Sequence, residues 1–153
     1  MFTLNDLFDI AARMELNGRA VYLRAMEDTR DRDLLELLQW MADEEDRHRR
    51  WFLGQKQLMS GKNEDLETMI PDVIREMMGE NSLSLDEVDF SQIRTPAQLL
   101  KTFAMFEKDT ILFYEFLDTF LESDSARKGL EAIIAEENAH VDKLTLMAQS
   151  YSH

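Results

Sequence analysis

Two four-residue motifs constrain this chain more than anything else in it. Glu45-Asp46-Arg47-His48 and Glu137-Asn138-Ala139-His140 are both E-x-x-H, and the second follows the first by 92 residues. On a helix, a separation of three puts Glu and His on one face. The same shift of 92 carries Glu15 onto Glu107 and Tyr22 onto Tyr114. Glu15 stands 30 residues before Glu45, as Glu107 does before Glu137. The chain is therefore an internal repeat of two helical hairpins, strongest at polar positions.

The surrounding pattern is helical. Apolar residues recur in steps of three and four along four segments. The first, from about Leu4 to Thr29, has the stripe Leu4, Phe8, Ala11, Glu15, Gly18, Tyr22, Ala25, with Thr3 or Asn5 as its cap. The second, from about Asp33 to Met59, follows a cap at Asp31 and has the stripe Leu34, Leu38, Met41, Glu45, His48, Phe52. The third starts at Thr95, with Pro96 at its first position and Gln98 completing a capping box. Its stripe is Leu100, Phe103, Glu107, Thr110, Tyr114, Leu117, and the fourth carries Leu130, Ile133, Glu137, His140, Leu144, Met147. Residues 60–95 lie between the pairs, with a short amphipathic helix expected over Leu66 to Met78 and loop after it.

Two hairpins (4–59 and 96–150) joined by a long crossover predict an all-α four-helix bundle of ferritin-like connectivity, as one domain over 1–153. Scarce Gly (5) and Pro (2) agree with helices rather than a sheet.

Six ionisable residues thus fall on core stripes: Glu15, Glu45, His48, Glu107, Glu137 and His140. Four buried carboxylates without partners would be very costly. Two divalent cations offset their charge, and the imidazoles add nitrogen ligands. That mixed donor set suits iron, with Mn or Zn as alternatives. A lone E-x-x-H is commonly a surface ion pair. Two of them, each matched to a glutamate at the same distance on the preceding helix, point to two metal ions. Glu44 and Glu136 also repeat, but lie about 100° from the stripe and read as surface or as an outer ring around the ligands. Trp40 and Trp51 read as packing residues, and the ten methionines as core filler.

Composition excludes other classes. A net charge of −14 repels nucleic acid and anionic membrane surfaces. The absence of cysteine excludes disulfides and iron–sulfur clusters within the chain. The N-terminal residues do not read as a signal peptide, no apolar run reaches membrane-spanning length, and a cytoplasmic location is expected.

With Glu15 and Tyr22, Glu45 and His48, Glu107 and Tyr114, and Glu137 and His140 in place, the chain resembles the rubrerythrin branch of the ferritin-like di-iron proteins over residues 4 to about 150. The resemblance implies two iron ions bridged by Glu45 and Glu137, with Glu15 and Glu107 as terminal ligands and one histidine on each iron. It implies an oxidoreductase that reduces peroxide or dioxygen with electrons from an external donor protein, a role in oxidative stress, and a homodimer to which Leu16 and Leu23 add apolar surface. A ferroxidase or iron-storage protein and a non-enzymatic metal-binding bundle are the alternatives. The chain departs from the family pattern twice. It lacks the four cysteines of a rubredoxin domain, and Thr110 stands where the family has an extra glutamate three residues after the third-helix ligand. Four carboxylates rather than five follow. Thr110, Tyr22 and Tyr114 then fall in the ring around the ligands.

Overall fold

The computed structural model describes residues 2–58, 64–79 and 93–151. Among the described residues are five α-helices: α1 (Leu4–Glu27), α2 (Arg32–Leu58), α3 (Asp72–Gly79), α4 (Pro96–Asp118) and α5 (Asp124–Ser150), with a 3-10 turn at Glu67–Met69. No strand occurs among the described residues. The fold is the all-α, ferritin-like bundle that the four stripes predict.

Short-range chemistry sets the helix starts. Thr3 and Asp6 form a reciprocal capping box on α1. Asp31 Oδ1 accepts from the N–H groups of Asp33 (2.9 Å) and Leu34 (3.4 Å), capping α2. Thr95 Oγ1 accepts from Gln98 N–H at 3.2 Å on α4. The reciprocal bond expected there is displaced by one residue, since Gln98 Oε1 accepts from the N–H of Arg94. Ser123 caps α5.

The crossover differs from a single amphipathic helix over 66–78. It divides into the 3-10 turn and α3, with Ile70 and Pro71 between them. Pro71 has no N–H to continue a helix and fixes the geometry at which α3 starts. Leu66, Ile70, Ile74 and Met77 are nevertheless buried against the bundle. The expected end of α2 at Met59, the turn residues 60–63, the loop residues 80–92 and His153 lie outside the described residues.

Neighbouring helices run antiparallel. Phe8 meets Phe52 across α1 and α2, Tyr22 meets Phe103 across α1 and α4, and Arg47 meets Glu136 across α2 and α5. The apolar core forms two clusters. One gathers Leu4, Phe8, Phe52, Tyr114, Leu117 and Leu130 with the crossover residues. The other gathers Tyr22, Leu38, Met41, Leu100, Phe103 and Leu144. Each fully buried Leu or Phe contributes about 1.5–3 kcal/mol. Between the clusters lies a polar layer.

Candidate metal centre

The polar layer is made of the six residues on the core stripes. Glu15, His48, Glu107, Glu137 and His140 have no exposed surface and Glu45 is 1% exposed. They form two groups that share Glu137. One is Glu45, Glu107, Glu137 and His140, and the other is Glu15, His48 and Glu137. Within each group one donor atom per residue lies within 4.8 Å of every other. The imidazole rings stand 6.3 Å apart, nearly parallel. Each ring directs Nδ1 at the carboxylates: His48 Nδ1 is 2.9 Å from Glu137 and 3.4 Å from Glu15. His140 Nδ1 is 3.3 Å from Glu137, 3.4 Å from Glu45 and 3.6 Å from Glu107.

The tyrosines cross between hairpins. Tyr22 on α1 donates a short hydrogen bond to Glu107 on α4, and Tyr114 on α4 donates to Glu15 on α1 at 2.5 Å. Each hydroxyl holds the carboxylate of the opposite repeat. Thr110 is buried but turns its hydroxyl away, donating to the Phe106 carbonyl at 2.9 Å. Its repeat counterpart is Gly18. A Cβ there would stand 3.2 Å from Glu45 Oε2, so the missing side chain leaves space for that carboxylate.

A family model for rubrerythrin matches residues 6–148. The chain belongs to the rubrerythrin family. No curated protein and no solved structure matches it.

Rubrerythrins are di-iron proteins, and the donors in this chain fit that group. Glu15 Oε2, Glu45 Oε1, Glu107 Oε2, Glu137 Oε2 and His140 Nδ1 are all buried without a hydrogen-bond partner among the described residues. Buried polar atoms are rarely left so, and five in one layer are compatible with a bound cation. Oxygen and imidazole donors together match a first-row transition metal.

Electrostatics show how crowded this layer is with negative charge. Burial, then the charges of Glu107, Glu137 and Glu15, push the Glu45 carboxyl well above its usual range. Burial and Glu137 push Glu107 up to about 7. Burial opposes charge on His48, but Glu137 and Glu15 outweigh it and raise its pKa to about 10. Burial likewise opposes charge on His140, but the carboxylates around it prevail and raise its pKa. Burial, then Glu107 and Glu15 respectively, raises the Tyr22 and Tyr114 phenols, so both remain donors at neutral pH. Without metal, the layer gathers protons to balance its charge.

An outer ring surrounds the histidines, and sequence reasoning left its role open. Glu44 Oε1 is 2.8 Å from His140 Nε2, while Glu136 Oε2 is 3.6 Å from His48 Nε2. Arg47 joins both glutamates. Burial works against charge on the Glu136 carboxyl, but its hydrogen bonds with Arg47 and Glu44 prevail and hold its pKa down at about 2. The signal for Glu44 and Glu136 was their shared shift of 92; for Arg47 there was none, because its counterpart is Ala139. Trp40 packs edge-on against His140 at 4.9 Å, beneath the Lys143 ammonium. Trp51 packs against Phe52. No helix among the described residues is long and apolar enough to cross a membrane.

Proposed function

We propose that this rubrerythrin is a di-iron oxidoreductase that reduces peroxide or dioxygen with electrons from an external donor protein. One observation carries the reading: six buried side chains converge between two apolar clusters, each with an oxygen or nitrogen unpartnered among the described residues. Glu15, Glu45, His48, Glu107, Glu137 and His140 hold two iron ions. Ferrous iron, when bound, supplies two electrons and two Lewis-acid positions. The protein's own residues do the rest. Tyr22 and Tyr114 fix one oxygen of Glu107 and of Glu15. Glu44 fixes the His140 ring. The apolar clusters on either side keep bulk water from the layer. Peroxide takes two electrons and two protons to give two waters, and the donor returns the electrons.

With four carboxylates and Thr110 turned away, the cluster offers fewer anions than a five-carboxylate site. That leaves room for a small oxidant and slows return to the reduced state when no donor is present. A homodimer and a cytoplasmic location belong to the same proposal. Leu16 is 47% exposed near Leu53 at 40%. Leu23, by contrast, packs against the core and adds less outward surface than Leu16.

The test begins with metal analysis of anaerobically purified protein. Close to two irons per chain are expected, and fewer in His48→Ala and His140→Ala. Stopped-flow absorbance then follows the reduced protein mixed with peroxide or with dioxygen. One fast oxidation by peroxide, with slow turnover until a donor is added, supports the proposal. Faster oxidation by dioxygen with accumulation of Fe(III) replaces it with a ferroxidase. A fully loaded double-histidine variant removes the ligand assignment.

A further inference from the structure

The inner six residues obey the repeat, but the ring outside them does not. Arg47 on α2 has Ala139 as its counterpart on α5, so one guanidinium serves both halves. It grips Glu136 with both terminal nitrogens, Nη1 at 3.3 Å and Nη2 closer still. A fork of this kind holds a carboxylate in both position and orientation. Glu136 Oε2 consequently stops 3.6 Å from His48 Nε2, beyond hydrogen-bond range, and that nitrogen is buried without a partner among the described residues. Glu44 receives a single contact from Arg47, at 3.2 Å on Oε2. Its Oε1 remains free to take the Nε2 proton of His140 at 2.8 Å.

The two imidazoles are thereby prepared differently. A carboxylate at Nε2 keeps the proton there and leaves Nδ1 as the nitrogen that yields to a metal. His140 has that arrangement, and its Nδ1 is unpartnered. His48 has the opposite one: its Nδ1 lies 2.9 Å from Glu137 Oε1, and against an ionised carboxylate the ring must be the donor. At either ring a metal displaces whatever Nδ1 holds, but only His140 has a carboxylate within hydrogen-bond distance of Nε2 to fix the ring, whereas Glu136 stops 3.6 Å from His48 Nε2. The donor count favours the same side, with three glutamates grouped around His140 and two around His48.

We propose that Arg47 is a positioning residue that makes the two metal positions unequal, so that the position around His140 fills before the position around His48. This rests on the metal-binding reading above. Removing Arg47 releases Glu136 to take the Nε2 proton of His48. The weaker position then tightens, and the two become more alike.

Metal-stripped protein titrated anaerobically with Co(II), followed by calorimetry and visible absorbance, decides the matter. Two dissociation constants are expected, separated by roughly 10–100-fold, the range over which outer carboxylates tune metal sites. His140→Ala should abolish the tight equivalent and His48→Ala the weak one. Arg47→Met should narrow the separation by roughly tenfold through the weaker constant. Arg47→Lys keeps the charge without the fork and should fall between. The Arg47 side chain is 55% exposed, so these variants should fold, with circular dichroism as the check. Equal constants in the unaltered protein would overturn this inference and leave the metal reading standing. So would a folded Arg47→Met protein with an unchanged separation, or retention of the tight equivalent in His140→Ala. No Co(II) bound at all would remove both.

Discussion

Stripped of metal, the protein should lose stability steadily as pH rises from mildly acidic to alkaline. Glu107 has its pKa pushed from 4.5 to about 7 in the folded chain. A raised carboxyl binds its proton more tightly folded than unfolded, so folding carries no penalty from it below 4.5 and the full penalty above about 7. At about 1.4 kcal/mol for each tenfold change in proton affinity, the cost is on the order of 3 kcal/mol. His48 acts in the same direction: its contribution is complete below its ordinary 6.5 and is lost as pH rises through about 10. For a chain of this length the Glu107 part alone corresponds to roughly 6–12 °C in Tm. The assay is thermal and urea unfolding of EDTA-treated protein between pH 5 and pH 9, followed by circular dichroism. Glu107→Gln isolates the effect, because the amide keeps an acceptor for Tyr22 and removes the charge. Its stability should exceed the parent's at pH 8 and vary less with pH. Iron-loaded protein should show the opposite trend, since binding releases the protons that the ligands hold. Parallel pH profiles for parent and Glu107→Gln would refute the reasoning.

Three further outcomes follow from the geometry. Tyr114→Phe removes the donor to Glu15 and should cost about 1.5–3 kcal/mol in urea unfolding, as hydrogen bonds to charged groups do. Gly129→Ala places a Cβ 2.6 Å from the Trp51 ring, so the indole must move. Overpacking of this kind should cost about 1–3 kcal/mol and shift the Trp51 emission, despite the gain in helix propensity. Gly18→Ala sets a methyl 3.2 Å from Glu45 Oε2 and should lower metal affinity in titration while leaving the helical signal intact.

Much of this architecture is legible in the residues because helices advertise themselves by period. The stripes on α1, α2, α4 and α5 are buried almost residue for residue, with Ala25 and Met147 half-exposed near helix ends. The six polar core positions stand out for a physical reason: ionisable groups among Phe, Leu and Met demand compensation. Glu44 and Glu136 are harder to place because a glutamate about 100° off the stripe looks like any solvated residue. Only folding brings α2 beside α5 and sets each against the other helix's histidine. Arg47 is harder still, since it breaks the repeat instead of obeying it. In the crossover, apolar spacing runs on through Pro71, which is the residue that separates the 3-10 turn from α3.

The buried polar layer proposed to hold metal is costly to the fold. Apolar residues in place of the six would remove the repulsion and the unpartnered atoms, and the bundle would gain stability but bind nothing. Retaining them ties folding to metal supply. A ligand at 1,000 times its dissociation constant stabilises the folded state by about 4 kcal/mol. That is comparable to the penalty of roughly 3 kcal/mol from Glu107 alone at neutral pH. On the proposed metal binding, scarce metal should leave a weakened bundle and abundant metal should restore it. If the His140 position fills first, as proposed, the first ion should provide much of that recovery. The second then enters a folded protein, where Glu137 already serves the first.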